Sequence, residues 1–153
     1  MKLGNKLTNL KFKTGDDSFM TNKSFSGNKV VIYFYPKDDT PGCTKEAIEF
    51  SENKSNFQKF NTIILGVSKD SVTKHEKFKS KHNLTVDLAS DDDGKICDAF
   101  GVWVEKSMYG KKYMGIERST FLFDENSKLI KVWRNVKVKN HVNEVLNFLD
   151  SID

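Results

Sequence analysis

The chain has 153 residues, of which 37% are hydrophobic and 30% are charged, a length and balance typical of one globular domain over residues 1–153 and not of intrinsic disorder. Its formal net charge is +4 at pH 7, but only Arg118 and Arg134 of the 25 basic residues are arginines. Because the lysines are interleaved with acids along the whole chain, the charge favours a solvated surface and no nucleic-acid partner.

The first predicted element is a central strand over Lys29 to Tyr35, a continuous run of β-branched and aromatic residues. Its apolar part is the longest in the chain, yet it is far shorter than the roughly 20 residues of a membrane-spanning helix. Met1 to Leu7 mixes apolar and polar residues, without the hydrophobic stretch that directs secretion. We therefore expect a cytoplasmic location and no membrane partner.

A helical pattern follows over Thr44 to Phe60, and then a second buried strand over Thr62 to Ser68. Asp70 and Ser71 are N-cap candidates for a helix that runs to about His82. This alternation of strand and helix predicts two parallel strands joined by a crossover helix.

The second half of the chain begins with a short strand candidate over Asp87 to Ala89 and a short helix from about Lys95 to Phe100. Apolar runs over Ser119 to Phe123 and Leu129 to Trp133 suit a hairpin. The chain closes with the strongest helical periodicity, behind Asn140 as the cap residue; its apolar positions are Val142, Val145, Leu146, Leu149 and Ile152. The fold class is therefore α/β, with a central mixed sheet flanked by helices on both faces.

Two cysteines, Cys43 and Cys97, are too few for a disulfide framework, which is typical of a reducing compartment. The two cysteines and three histidines show no metal-ligand spacing. We therefore predict neither a metal nor another cofactor.

Cys43 lies at the predicted start of a helix, after the carboxyl end of a buried strand, where open α/β sheets place their sites. A thiol reacts as its thiolate, and a helix N-terminus lowers an acid's pKa by about one unit at best. A cation must supply the rest. Arg118 is the candidate because it leads into an apolar strand, although an edge arginine in water fits the spacing equally well.

The histidines are weaker partners, since His75, His82 and His141 all lie in or beside lysine-rich helices. Thr40 occupies the position where a CxxC dithiol would have its first cysteine, so redox exchange by a dithiol is excluded. Its hydroxyl can both donate and accept a hydrogen bond beside a thiolate. The alternative for the whole loop is a strand-to-helix turn with a small buried cysteine, the commoner fate of a free cysteine.

The pattern Pro36-x-x-x-Thr40-x-x-Cys43 resembles the active-site signature of the peroxiredoxins. The longer string YFYPKDDTPGCTKEA resembles the peroxiredoxin Q, or bacterioferritin comigratory protein, subfamily. The pair His75 and Phe78 is similar to the same subfamily, as are the segments GVSKDS, SDDDGKICDAFGVW and EKSMYGKKYMGIERSTFLFD. These matches extend in the same order from Asn28 to Asp124.

The resemblance implies a thioredoxin-like fold and a thiol-dependent peroxidase acting on hydrogen peroxide and organic hydroperoxides in antioxidant defence and cell redox homeostasis. Cys43 would attack the O–O bond and become a sulfenic acid. Thr40 and Arg118 would orient the peroxide, with the backbone N–H groups of Gly42 and Cys43 as further donors, while Pro36 would shield the sulfur. Polar groups aimed at the separating oxygens are needed because a lower pKa also lowers the nucleophilicity of a thiolate.

Glu46 resembles a family position that buttresses this loop, although an exposed helical glutamate fits as well. Many members of the subfamily carry a resolving cysteine five residues after the first, where this chain has Ile48. Others carry it in the next helix, which has none here. Cys97 remains, as either a buried inert residue or a resolving cysteine, and the sequence does not bring it within disulfide distance of Cys43.

If Cys97 is inert, the enzyme is a one-Cys peroxidase whose sulfenic acid is taken by an external thiol such as glutaredoxin, glutathione or thioredoxin. The resemblance implies thioredoxin as the partner and a monomer as the oligomeric state. Trp103 to Gly115 has no clear period and is either a mobile flap lining a hydroperoxide pocket through Trp103, Tyr109 and Met114, or a surface loop. A peroxide sensor or a non-catalytic thioredoxin-like binding module is the alternative function.

Overall fold

The computed structural model describes residues 1–153 and contains nine strands and five helices. The strands are β1 (Phe12–Lys13), β2 (Phe19–Met20), β3 (Lys29–Phe34), β4 (Thr62–Ser68), β5 (Asp87–Ser90), β6 (Trp103–Met108), β7 (Lys111–Ile116), β8 (Ser119–Phe123) and β9 (Leu129–Trp133). The helices are α1 (Pro41–Glu52), α2 (Lys54–Lys59), α3 (Val72–His82), α4 (Lys95–Phe100) and α5 (His141–Ile152). None of the helices combines the length and the apolar character needed to cross a membrane.

Seven strands form one mixed sheet in the order β2-β1-β5-β4-β3-β8-β9. The strand β3 lies near its centre, pairing in parallel with β4 and antiparallel with β8. All six residues of β3 are buried, which explains why its sequence is a continuous apolar run and not an alternating one. The predicted mixed sheet, the crossover between β3 and β4 and the β8–β9 hairpin are confirmed.

The sheet separates two hydrophobic clusters, because successive side chains of a strand point to opposite faces. Val30, Ile32 and Phe34 belong to a cluster of 17 buried residues that includes residues of α4. Val31 and Tyr33 belong to a cluster of 16 buried residues that includes residues of α1, α3 and α5. Helices thus cover both faces, as predicted, and burial of these two clusters is the main driving force for folding.

The helix predicted over Thr44 to Phe60 is in fact two helices, because Asn53 leaves the helical conformation between α1 and α2. The Asn53 side chain donates a hydrogen bond to the Glu49 carbonyl at 2.8 Å, so it competes with the backbone. The helix also begins earlier than predicted, at Pro41, a residue well suited to a first turn. Ser71 caps α3 as predicted, its hydroxyl accepting from the Lys74 N–H.

The segment Trp103 to Gly115, predicted to be a flap or a loop, is instead part of a regular hairpin in which β6 and β7 pair as a separate two-stranded sheet. Its turn residues Tyr109 and Gly110 both have positive φ, as a tight hairpin turn requires. Most of the hairpin is exposed on both faces. The sequence therefore lacks the polar and apolar alternation that marks a half-buried strand.

Gly66 in β4 lies directly against two buried side chains of the second cluster, Tyr33 and Leu88. A Cβ atom there would lie 2.7 Å from Tyr33 Cζ and 2.8 Å from Leu88 Cδ2. We expect Gly66→Ala to lower the free energy of unfolding by about 1–3 kcal/mol, because neither buried side chain can move away freely. Urea denaturation measures the change. Ser107→Ala, on the exposed hairpin, is the control and should stay within about 0.5 kcal/mol of the wild type; equal stability of both variants would contradict this packing.

Candidate active site

Cys43 lies in the first turn of α1, directly after the loop that leaves the carboxyl end of β3. Thr40 is the N-cap residue and has an extended backbone, which turns the chain from the loop into the helix. The Cys43 side chain is only 1% exposed and belongs to the second hydrophobic cluster. A nucleophile at this place is therefore protected from bulk solvent and reached only past the loop.

Arg118 lies beside this thiol because of the register of the sheet. Ser119, the first residue of β8, pairs with Phe34, the last residue of β3, so the start of β8 adjoins the loop. The guanidinium Nη2 lies 3.4 Å from Cys43 Sγ, and Nη1 donates to Glu46 Oε1 at 2.8 Å. The side chain of Arg118 is 17% exposed, so the interpretation of an edge arginine in water is wrong.

Glu46 is completely buried, and the expectation of an exposed helical glutamate is therefore wrong. Burial raises the pKa of its carboxyl to about 7, against the lowering effect of Arg118. Its second oxygen, Oε2, has no hydrogen-bond partner. Burial acts to lower the pKa of Arg118, but the charges of Glu46 and Cys43 outweigh it and raise that pKa.

Gly42 allows the guanidinium to approach the helix start. A Cβ atom at this position would lie 3.2 Å from Arg118 Nη2, so a larger residue would crowd the contact with the thiol. The hydroxyl of Thr40 donates to the Lys37 carbonyl at 2.9 Å, within the loop, and its oxygen lone pairs stay available as acceptors. Pro36 is exposed at the start of the loop.

The three hairpin residues predicted to line a pocket differ in their exposure. Tyr109 is 99% exposed at the turn, and Met114 is 49% exposed. Trp103 is half-buried, with the Lys69 ammonium 4.0 Å from the centre of its ring. Trp103 therefore lies at the base of the hairpin and Tyr109 at its exposed tip.

Lys106 of β6, which the sequence analysis did not identify, lies close enough to Arg118 and Cys43 for their charges to affect its pKa. Burial lowers the pKa of Lys106, Arg118 lowers it further, and Cys43 opposes both. Lys106 pairs across the hairpin with Tyr113, so both side chains share one face.

The histidines are held in structural contacts away from the sulfur. His75 Nδ1 lies 2.6 Å from Asp38 Oδ2, and His82 Nε2 lies 2.8 Å from Asp39 Oδ1. His141 Nε2 lies 2.8 Å from the Thr120 hydroxyl, and burial, aided by Arg118, lowers its pKa to about 4. None of the three is hydrogen-bonded to Cys43, as the sequence predicts. The Asp38 contact was missed because the two residues are far apart in the chain.

Cys97 lies in α4 and belongs to the first hydrophobic cluster, so the central sheet separates it from Cys43. It is fully buried, and its N–H donates to Asp91 Oδ2 at 2.8 Å. Burial, followed by the hydrogen bond and charge of Asp91, raises the pKa of its thiol well above the usual value. Both cysteines are free.

An open groove of about 520 Å³ runs along the outer side of the loop and the start of α1. Its lining residues, mostly polar, are Asp39, Thr40, Pro41, Thr44, Lys45, Ile48 and Glu49. Ile48, at the position where the family resemblance leads one to expect a resolving cysteine, is the single hydrophobic residue of this lining.

Comparison with known proteins matches residues 3–132 to the model of the AhpC/TSA family. The chain is 48% identical over 149 residues to Peroxiredoxin Bcp of Bacillus subtilis, covering 97% of this chain and 95% of that protein. Its fold matches a mutant of Xylella fastidiosa PrxQ with a TM-score of 0.92 at 40% identity, covering 99% of this chain and 96% of that one.

A structure of Xanthomonas campestris bacterioferritin comigratory protein, reported for its alkyl peroxide reduction activity, matches with a TM-score of 0.90 at 41% identity and the same coverage. These similarities extend over nearly the whole chain. The thioredoxin-like fold expected from the sequence is confirmed.

Glu46 and His141 impose opposite pH dependences on stability. The pKa of Glu46 is raised from 4.5 to about 7 in the folded protein, so its contribution is fully present below pH 4.5 and is lost as the pH rises through 7. The pKa of His141 is lowered from 6.5 to about 4, so its contribution is present above pH 6.5 and is lost as the pH falls through 4.

We expect Glu46→Gln to make the slope of unfolding free energy against pH more positive by up to about 1.4 kcal/mol per pH unit between pH 5 and 6.5. The amide retains an oxygen acceptor for Arg118, so the change isolates the proton. Urea denaturation at a series of pH values measures both slopes. His141→Asn is the matched control and should shift the slope in the opposite direction; parallel curves for Glu46→Gln and the wild type would contradict this assignment.

Proposed function

The chain belongs to the AhpC/TSA family and is a peroxiredoxin, and on that premise we propose that Cys43 is its peroxidatic thiol and that it works by a one-Cys mechanism. A hydroperoxide is the substrate and a thiol is the reductant. The observation that carries the assignment is the Arg118 guanidinium at 3.4 Å from Cys43 Sγ, inside a site that is nearly closed to water. A cation so placed can stabilise negative charge that moves from the sulfur to a departing oxygen.

In the first step the Cys43 thiolate attacks the terminal oxygen of the hydroperoxide. The S–O bond forms as the O–O bond breaks, so the sulfur is oxidised to a sulfenic acid and the peroxide is reduced to an alkoxide. The alkoxide then takes a proton from water and leaves as an alcohol. Arg118 acts twice, because the negative charge moves from sulfur to the departing oxygen within reach of the same guanidinium.

Thr40 and the helix start supply the remaining polar groups. The hydroxyl hydrogen of Thr40 is directed to the Lys37 carbonyl, so its oxygen can accept the O–H of a bound hydroperoxide. The N–H groups of Gly42 and Cys43 lie in the first turn, where they have no partner within the helix and can donate to the peroxide. Pro36 stiffens the loop and has no N–H that could compete for the thiolate.

The hairpin face with Lys106 and Tyr113 supports a role in holding the organic part of the substrate. The charges of Cys43 and Arg118 act on Lys106, and Tyr113 offers an exposed aromatic surface. The related Xanthomonas campestris protein is reported for alkyl peroxide reduction. We therefore propose that this face contacts the substrate.

The one-Cys proposal rests on the separation of the two cysteines. Cys97 is buried on the other face of the sheet and its pKa is raised, so it is a poor attacking thiol. An external thiol then attacks the sulfenic acid, forming a mixed disulfide and releasing water, and a second thiol frees Cys43. Thioredoxin, the reductant typical of the family, supplies two thiols for these steps. We also propose a reducing, cytoplasmic setting, which the small number of cysteines supports, and a monomer, as the family resemblance implies.

A turnover assay with hydrogen peroxide and thioredoxin, combined with mass spectrometry of the oxidised protein, tests this mechanism. We expect Cys43→Ser to abolish peroxide consumption and Cys97→Ser to retain turnover, with the wild type gaining one oxygen at Cys43. A Cys43–Cys97 disulfide, or loss of turnover in Cys97→Ser, would exclude the one-Cys mechanism. Consumption that stops after one equivalent of peroxide would favour a sensor.

Arg118 is tested against the other arginine of the chain. We expect Arg118→Gln to slow peroxide reduction roughly 100-fold, the usual loss for one donor that stabilises a developing oxyanion. Arg134, which is half-exposed and bound to Glu117, offers a matched control. Arg134→Gln should reduce the rate by less than about twofold. Stopped-flow measurement of the second-order rate constant compares them, and similar losses in both variants would argue against the role of Arg118.

A further inference from the structure

The loop that precedes Cys43 is held in place by a buried polar network around Asp38. Asp38 Oδ1 accepts a hydrogen bond from the Tyr35 hydroxyl at 2.5 Å, and Oδ2 lies 2.6 Å from His75 Nδ1. The Asp38 N–H donates to Asp70 Oδ2 at 2.8 Å. Tyr35, Asp38 and His75 are at most 9% exposed. The network thus joins the loop to α3 and to the turn after β4, mostly through buried side chains.

The protons of this network follow from its geometry. His75 Nε2 lies 2.9 Å from the Ala89 carbonyl, which only accepts, so Nε2 carries a hydrogen. Nδ1 lies against a carboxylate oxygen of Asp38, so both ring nitrogens and both carboxylate oxygens have a close polar partner. Removing one partner would leave buried polar atoms without a hydrogen bond, which is unfavourable.

The loop needs such an anchor because its backbone is not relaxed. Asp39 has a φ of +59°, a conformation that costs a non-glycine residue energy and persists only where neighbours enforce it. The Asp39 side chain is bound by Lys81 and His82, but its carboxylate is 43% exposed. Exposed ion pairs contribute little to stability because solvent screens them. The buried Asp38 contacts are therefore the stronger constraint.

We propose that His75 is a positioning residue of the peroxidase: through Asp38 it fixes the loop that keeps the Cys43 sulfur against Arg118 and closed to solvent. The path is short, from the rigid Ala89 carbonyl in β5 through His75 and Asp38 to Thr40 at the helix start. The proposal rests on the assignment of Cys43 as the peroxidatic thiol. His75 touches no reacting atom and acts only through the loop.

The distinguishing consequence is that peroxide reduction and simple alkylation of Cys43 change in opposite directions. Peroxide reduction needs the sulfur, Arg118 and Thr40 in one arrangement, and a displacement of about 1 Å can cost about 100-fold in rate. Iodoacetamide needs only access to the thiolate. A loosened loop slows the first reaction and accelerates the second.

His75→Phe tests this, since it keeps an aromatic ring next to Tyr35 and removes both hydrogen-bonding nitrogens. We expect peroxide reduction to slow by roughly tenfold or more and iodoacetamide labelling of Cys43 to accelerate. Cys97, buried on the other side of the sheet, reports global unfolding and should stay unlabelled. Labelling of both cysteines together, or wild-type rates in both reactions, would overturn the proposal.

Two further variants separate hydrogen bonding from packing. The amide of Asp38→Asn can accept a hydrogen bond from Tyr35 and donate one to His75 Nδ1. We therefore expect its rates of peroxide reduction and of iodoacetamide labelling to stay within about threefold of the wild type. A loss of peroxide reduction equal to that of His75→Phe would overturn the proposal. His82→Phe, which removes the exposed anchor on the same helix, should stay within about twofold.

If His75→Phe does not fold, Tyr35→Phe takes its place. It removes one donor to Asp38 and should shift both reactions in the same directions by smaller factors, and unchanged rates would overturn the proposal. Wild type and Cys43→Ser are measured alongside. Equal peroxide consumption by those two would reject Cys43 as the peroxidatic thiol, whereas the alkylation rates would still report on the loop.

Discussion

The guanidinium of Arg118 joins one carboxylate and one thiol that have both lost nearly all contact with water, and the rest of the site depends on this interaction. Removing charged groups from solvent is costly, and it is offset here only because each group has a close partner of opposite character. Arg118 and Cys43 are far apart in the sequence but adjacent in the folded chain. It exists because β8 starts where β3 ends, so strand register places the cation.

The central sheet does more than support this site, because it also divides the chemistry of the chain. Cys43 in α1 and Cys97 in α4 pack on opposite faces of the sheet and so belong to different hydrophobic clusters. On one face the Cys43 thiol lies beside the guanidinium of Arg118. On the other face the Cys97 thiol lies beside the carboxylate of Asp91 and is surrounded by hydrophobic side chains. Two residues of the same type therefore have opposite electrostatic surroundings, which follow from the packing and not from the residue.

Much of the fold could be predicted from the sequence, because continuous apolar runs mark strands that are covered on both faces. The strands over Thr62–Ser68 and Ser119–Phe123 and the helix over Lys95–Phe100 have the predicted bounds. The β6–β7 hairpin was missed because exposure on both faces removes its periodicity. The break at Asn53 was missed because one side-chain hydrogen bond decides it.

For the site, a local motif predicted Cys43 at a helix start, and an arginine next to an apolar strand predicted the position of Arg118. The burial of Glu46 and the contact between Asp38 and His75 depend on how α1 and α3 pack on the sheet, which no local pattern encodes. The hairpin, by contrast, closes its own hydrogen bonds and adds none to the main sheet. Changes at the exposed turn of the hairpin therefore leave the register that places Arg118 beside Cys43 as it is, so the hairpin tip can diverge between descendants of this chain while the sheet is inherited unchanged.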